Sequence, residues 1–600
     1  MSFRNLHDFV DELRRRNDLA IVEARVSAEL EIAEIHRRVI AAGGPALMFV
    51  NVTGSRFPLV TNLFGTTERA RLAFGSRPGR LIRRGIELVQ GEMPPKVGDL
   101  WRARDIAGAA LRLGSRRVRR GPVTEVVGRP DLGRLPVLTS WPEDGGPFVT
   151  LPLVHTQHPD TGVANLGMYR LQVHGPSATG MHWQIAKGGG FHHHVAESRG
   201  EALPVTVFLG GPPALILAAI APLPENVPEL LLASLIAGRR LAQVGGLGPH
   251  GLLADAEFAF VGRVPPGVRR PEGPFGDHYG YYSLRHDYPV FEIETMAHRK
   301  DAIYPATVVG KPKQEDLFIG DELQELLSPL FPLVMPAVRK LWSYGETGYH
   351  ALAGAVVQER YRREAMSSAF RILGEGQLSL TKFLLVTDRN VDLSDFSATL
   401  ECILERTRPE TDLYVLANLS MDTLDYTGPA VNHGSKGVWL GVGDPVRALP
   451  REYSGETPPG CRRISVFCGG CLVVEGPSYG SDADFADRLA RWDHFGSWPM
   501  VVIVDSIDAA LATSASFLWT VFTRFDPASD LRARHRLEQN HLGFEMPIVF
   551  DARMKKRYPD ELLCDEKTAA RVSERWSEYF PDRGVEMGDS SRGHLDDWSR

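Results

Sequence analysis

What most constrains the fold is a change of texture along the chain. Between Val123 and Val309 the sequence runs as short apolar segments separated by Gly and Pro turns, as in Val205 to Leu209, Ala256 to Val264 and Val290 to Glu294. Short strands punctuated by turns cover their apolar face by curling into a barrel-like β domain. One helical insert interrupts this stretch, roughly Pro228 to Leu241, with Leu230, Leu231, Leu235 and Leu241 as its apolar residues.

On both sides, helical and strand-like patterns alternate. A helix to Arg16 carries Leu6, Phe9, Val10 and Leu13 on one face; a strand at Ala20 to Val22, a helix with Leu30, Ile35 and Val39, and a strand at Ala46 to Val52 follow. After about Leu317 the chain becomes helical and then returns to alternation, with strands at Phe383 to Thr387, Leu413 to Ala417, Ile464 to Phe467 and Val501 to Val504. A chain of 600 residues is too long for one hydrophobic core. The expected architecture is therefore α+β and multidomain: an N-terminal α/β domain over 1–120, the β-barrel domain over 121–320, linker helices over 321–360, a C-terminal α/β domain over 361–575, and a polar tail over 576–600. No internal repeat is visible in the sequence.

Composition narrows the function classes. With 43% hydrophobic and 24% charged residues the chain is an ordinary folded protein, and a net charge of -6 argues against a bulk polyanion binder. Arginines gather between Arg102 and Arg120, but no aromatics interleave with them, so this stretch reads as a solvated linker helix and nucleic acid is not expected as a partner. Met1 to Asn17 lacks the pattern of an export leader, and Leu203 to Ile236, the most apolar stretch, is broken by glycines and prolines. A cytoplasmic location away from membranes is expected. Five cysteines are too few for a disulfide framework; Cys468 and Cys471 form a CxxC inside an apolar strand-like run, Ile464 to Val474, and read as small buried residues.

Chemistry concentrates in Pro271-Glu272-Gly273-Pro274-Phe275-Gly276-Asp277-His278-Tyr279-Gly280-Tyr281-Tyr282. Its Gly/Pro turn can aim Glu272 and Asp277 into one pocket, where desolvation of one acid would keep it protonated near neutrality. Taken alone, such a segment is a surface turn. Upstream lie Asn165-Leu166-Gly167-Met168-Tyr169-Arg170 and Gly180-Met181-His182-Trp183-Gln184; the stretch APLPENVPE ends at Glu229, and HGSKG spans 433–437. His192, His193 and His194 are consecutive, cannot readily converge on one ion, and receive no metal role.

In this order the motifs resemble the UbiD family of decarboxylases, whose signature EGP[FY]G[DE] matches Glu272 to Asp277; the resemblance extends to about Arg553. It implies a central split β-barrel that binds prenylated FMN, and reversible decarboxylation of an aromatic, heteroaromatic or α,β-unsaturated acid through a covalent prenylated-flavin adduct, with CO2 as co-product. Arg170, Glu272 and Asp277 correspond to the catalytic set: Arg170 for the substrate carboxylate, Asp277 as proton donor where several members carry Glu, and Glu272 supporting Arg170 and the cofactor. Asn165, His182 and Glu229 correspond to the metal positions, a set that suits Mn2+ or Mg2+, with K+ a further candidate. Met168, Arg170, Met181, Ala219, Ile220, Ala221, Pro222 and Lys436 complete the implied cofactor contacts. A flavin prenyltransferase as cofactor supplier and a homodimer or higher homo-oligomer are also implied. The rival readings are a plain-FMN oxidoreductase on the same scaffold and a noncatalytic binding protein.

Overall fold

A computed structural model describes residues 2–90, 104–183, 188–223, 227–311, 313–581 and 584–589. The chain divides into two compact units, one running to Leu326 and taking up the chain again from Glu561, the other Leu327–Asp560.

The first unit opens on the helix Leu6–Arg15, where the Asn5 side chain accepts from Asp8 N at 2.9 Å and so caps one of the free amides of the first turn. Leu6, Phe9, Val10 and Leu13 all lie buried on its inner face, as their spacing demands. Four strands form a mixed sheet in the order Leu19–Val22, Ala46–Phe49, Leu59–Thr61 and Tyr304–Pro305. Beside it stands the expected β domain, a ten-stranded antiparallel sheet that curls into a half-barrel. Its longest strand, His286–His298, pairs with Phe258–Val264 on one side and Ala178–Gly180 on the other, and also receives Arg269–Glu272 and Val126–Gly128. Register shifts at Val261/Gly262 and Ala178/Thr179 mark bulges that help the sheet bend.

Three expectations are corrected here. The span 321–360, read as linker helices, is helical only in its first part and then holds the strands Val338–Ser343 and Leu352–Val357. The Arg-rich stretch is not a single helix: Arg104–Ala110 is helical, but Ser115–Val118 is a strand running parallel to Leu241–Val244, while 102 and 103 lie outside the described residues. The helical insert is correspondingly shorter, Glu229–Ala237, because Gly238 takes a left-handed conformation at its C-terminus (φ 67°) and Leu241 starts a strand.

The second unit holds two five-stranded sheets, ordered Val338–Ser343, Leu352–Val357, Phe383–Thr387, His433–Gly441, Leu413–Ser420 and Arg463–Cys468, Cys471–Glu475, Met500–Val504, His541–Asp551, Leu531–Glu538. In both, the outer pairings are antiparallel and the inner ones parallel. A short helix precedes the last-ordered strand in each, Pro409–Asp412 and Pro527–Asp530, and in each the aspartate accepts from the amide four residues earlier at 2.8 Å: Asp412 from Arg408 and Asp530 from Asp526. The unit is thus a structural repeat, which the sequence conceals because little beyond the Pro-x-Thr/Ser-Asp-Leu pattern is shared.

The CxxC also differs from its reading as part of one strand. Cys468 and Cys471 pair across a hairpin whose turn is Gly469-Gly470, both buried and both free thiols. From Glu561 the chain returns to the first unit, and Tyr579, expected in a solvated tail, is fully buried with its hydroxyl donating to Glu31 at 2.7 Å. No helix among the described residues is long and apolar enough to cross a membrane.

Candidate functional site

Strand pairing assembles the site around Tyr288 to Val290. Gly180 lies opposite Val290, Met181 N donates to Pro289 O at 2.9 Å, and the strand carrying Glu272 runs along the other part of the same long strand, with Glu272 opposite His286. Arg170 stands immediately before Leu171–Gly175, and its carbonyl accepts from His182 N at 3.4 Å. The Asp277 turn is closed by Gly280 N to Asp277 O at 2.9 Å and Ser283 N to Phe275 O at 2.8 Å. Gly276 is required within it, since a Cβ there would sit 2.1 Å from the Trp141 ring. Asp144 anchors the turn by accepting from Gly276 N at 2.8 Å and, through its other oxygen, from Ser140 N and Trp141 N at 2.9 Å.

Arg170, Glu272 and Asp277 meet as the sequence suggests. The guanidinium donates from Nε to Glu272 Oε1 at 3.2 Å, from one terminal nitrogen to Asp277 Oδ2, and from the other to Ser283 Oγ at 3.1 Å. Its Cζ lies 4.5 Å from the centre of the Phe275 ring, which covers one face. Glu272 Oε1 also pairs with His182 Nδ1 at 2.8 Å, and the His182 ring packs on Tyr288 with centroids 4.4 Å apart. Asp277 Oδ1 meets His278 Nδ1 at 2.6 Å.

The protonation pattern differs from the expectation that burial keeps one acid of the pair neutral. Burial alone would raise Asp277, but the Arg170 charge and the His278 hydrogen bond hold it well below the usual carboxylate range. Glu272 is likewise lowered, its desolvation outweighed by His182 and Arg170. Arg170 lowers both acids, after His182 at Glu272 and ahead of His278 at Asp277, so both rest ionised. Two neighbouring acids, Asp144 and Asp316, are pushed up by their burial, each to about 6.

Asn165 lies in the strand Ala164–Gly167, and Glu229, at the first turn of its helix, accepts from Leu166 N at 2.8 Å, which sets its carboxylate beside the Asn165 backbone. His182 is neutral by burial and by the neighbouring Arg170 charge. With Nδ1–H donated to Glu272, its Nε2 carries the lone pair, and that atom is buried with no partner among the described residues. A metal-bound histidine uses this arrangement, one nitrogen for the ion and the other fixed by a carboxylate. Among the described residues no three His, Cys, Asp or Glu side chains converge as a metal cluster; the implied set has only two of these types and needs the Asn165 amide, phosphate or water to complete it.

Ala219 and Ile220 end the helix Ala214–Ile220, where Ala221 turns to extended backbone; Ala219 and Ala221 are buried and Pro222 is exposed. Met181 is fully buried and Met168 half-buried. Lys436 belongs to the second unit, where Nζ donates to Thr381 O at 2.8 Å and burial lowers its pKa to about 8. The buried His192 and His193 serve packing: His192 Nδ1 meets Thr156 Oγ1 at 2.8 Å and His193 stacks on Trp183. Sequence reasoning missed Ser283, Phe275, His278, Tyr288 and Asp144. Of these, Phe275 and His278 lie within the motif around Glu272 and Asp277; the other three carried no signal.

Three family descriptions match the chain: the 3-octaprenyl-4-hydroxybenzoate carboxy-lyase N-terminal domain over residues 10–89, the Rift-related domain over 116–312 and the C-terminal domain over 318–441. The chain belongs to the UbiD family of carboxy-lyases. It is 51% identical over 591 residues to a 4-hydroxybenzoate decarboxylase subunit of Chlamydia pneumoniae, covering 97% of this chain and 99% of that protein. Among solved structures it resembles the vanillic acid decarboxylase of Sedimentibacter hydroxybenzoicus in closed form (TM-score 0.64, 22% identity, 76% of this chain and 96% of that one). It also resembles an evolved dimeric form of the UbiD-class enzyme HmfF from Pelotomaculum thermopropionicum in complex with prFMN (TM-score 0.60, 24% identity, 76% and 98%).

Proposed function

We propose that this chain catalyses the reversible, non-oxidative decarboxylation of an aromatic acid of the hydroxybenzoate class, with prenylated FMN and a divalent cation bound. The observation that carries the reading is the buried Arg170 guanidinium, held at once by Glu272, Asp277 and Ser283. The cofactor reading draws on the prFMN complex of HmfF, and the substrate class on the 4-hydroxybenzoate and vanillic acid decarboxylases. Asn165, His182 and Glu229 would hold Mn2+ or Mg2+ together with the cofactor phosphate, and the partnerless Nε2 of His182 favours that role. Assembly as a homodimer or larger oligomer is part of the same reading.

When bound, the flavin supplies the electron sink that breaking a C–C bond at an unactivated ring carbon requires, since no side chain can serve. The protein's part is charge and proton placement. A substrate carboxylate beside Arg170 competes with Asp277 for the guanidinium, and the added negative charge raises the Asp277 pKa, so Asp277 takes up a proton. His278, hydrogen-bonded to Asp277 and with a quarter of its side chain exposed, gives that proton a route from solvent. As CO2 leaves, the Asp277 carboxyl passes its proton to the carbon that carried the carboxylate and returns to the ionised state: one proton is consumed for each CO2 released. Glu272 remains ionised and keeps Arg170 and His182 oriented.

The test is production of the protein with and without a flavin prenyltransferase, followed by a screen of aromatic acids for CO2 release. Only the co-produced protein should contain prenylated FMN and decarboxylate a hydroxybenzoate. Equal activity of equally folded protein holding plain FMN would overturn the reading.

A further inference from the structure

Away from the site, in the first unit, lies a recess of about 440 Å³ lined by five arginines, Arg4, Arg112, Arg116, Arg239 and Arg240, with Asp255 the one acid among the described lining residues. Three separate parts of the chain deliver these cations. Arg4 comes from the N-terminal segment, Arg112 and Arg116 from the end of the helix Arg104–Ala110 and the strand that follows it, and Arg239 and Arg240 from the turn after Glu229–Ala237. Parallel pairing of Ser115–Val118 with Leu241–Val244 sets Arg116 opposite Ala242, and Leu241 N donates to Gly114 O at 3.0 Å, which brings the two arginine-bearing segments side by side.

The pairing inside the recess is incomplete. Arg4 Nε pairs with Asp255 at 3.2 Å, and Arg239 donates to the carbonyls of Phe3 and Arg4 at 3.3 and 2.6 Å. Arg112, Arg116 and Arg240 make no ion pair with any described residue and are exposed, so their guanidinium forks can turn toward a ligand. Another cation borders the recess: a Cβ at Gly238 would sit 1.9 Å from an Arg77 guanidinium nitrogen. Arg239, half-buried, has its pKa lowered by desolvation and by the charges of Arg4 and Arg116, against the opposing pull of Asp255 and Asp8. Like charges gathered in a concavity raise the local concentration of anions, and guanidinium forks match phosphate oxygens two at a time.

We propose that this recess binds a small ligand carrying two or more phosphate groups, at a site separate from the Arg170 centre. Four positive charges in excess suit a polyphosphate better than a monocarboxylate, and the volume exceeds what one phosphate fills. None of the described residues that line the recess is aromatic, so they offer no stacking platform of the kind a single-strand nucleic-acid groove uses.

Inorganic pyrophosphate is the first probe, titrated calorimetrically into flavin-loaded protein at low salt, with ATP, orthophosphate, a single-stranded oligonucleotide and phosphatidylserine vesicles as further arms. Pyrophosphate and ATP should bind saturably and more tightly than orthophosphate. The exposed-residue variants R116E/R240E and R116Q/R240Q should weaken both at least tenfold while leaving CO2 release unchanged. Absence of pyrophosphate binding, or binding that both variants retain, overturns the proposal. Oligonucleotide or vesicle binding that depends on Arg116 and Arg240 without matching pyrophosphate binding overturns it too, in favour of an extended polyanion surface.

Discussion

His182 Nδ1 and Glu272 Oε1 stand 2.8 Å apart, and through this contact the histidine implied in cation binding is tied to the carboxylate that steadies Arg170. Removing Glu272 therefore has two effects. Glu272→Ala should lower metal content and flavin content together with turnover, because the His182 tautomer and ring orientation lose their anchor. Glu272→Gln, whose amide oxygen still accepts from Nδ1, should retain more metal. Elemental analysis and flavin absorbance of the purified variants decide this, and wild-type metal content in Glu272→Ala would break the link.

The second oxygen of Glu272 is buried without a partner among the described residues, and a Cβ at Gly180 would lie 2.7 Å from it. Gly180→Ala should push the carboxylate away from Arg170 and His182 while leaving the sheet intact. A loss of turnover of roughly a hundredfold is expected, comparable with losing one positioned electrostatic partner. Unchanged circular dichroism with unchanged turnover would show that Glu272 has room to move.

Glu229 accepts from Leu166 N next to Asn165. A cation bridging this carboxylate to a phosphate would remove their repulsion, so Glu229→Ala should reduce metal and flavin occupancy together. Occupancy of both at wild-type levels would return Glu229 to a purely structural place at the start of its helix.

Asp277 offers a pH test. Its pKa is lower folded than unfolded, so it adds stability above its unfolded value of about 4 and loses that contribution as pH falls through the folded value. Cofactor-free Asp277→Asn should accordingly melt lower than wild type at pH 7, by roughly 1–3 kcal/mol, the cost of weakening a buried charged hydrogen bond. The gap in melting temperature should stay constant from pH 7 to 5 and narrow below about pH 4. A gap that widens on acidification would mean that burial, not Arg170, controls this acid.

How much of this is legible in the sequence depends on how local the cause is. Phe383–Thr387 reads correctly because a short apolar run between turns has few alternatives, and Leu6–Arg15 because its apolar positions repeat at the helical period. Ser115–Val118 escapes such a reading since three of its four residues are exposed and polar, so only the partner strand makes it a strand. The repeat in the second unit is a matter of topology, carried by pairing order. In the site, Arg170, Glu272 and Asp277 come together, but Ser283, Phe275 and Tyr288 reach Arg170 or His182 through the pairing of distant segments. The ionised state of both acids also depends on a distance, that of Arg170 to each, which spacing along the chain does not contain.

The most direct test of the account is turnover of 4-hydroxybenzoic acid in D2O by the prenylated-flavin-loaded wild type, Asp277→Asn and Glu272→Gln. Wild type should release CO2 and place one deuterium on the carbon that lost it. Asp277→Asn should keep its flavin while turnover falls by about two to four powers of ten, since the amide preserves size but delivers no proton. Near-normal turnover by Asp277→Asn, with Glu272→Gln inactive, would contradict the account and pass the proton to Glu272.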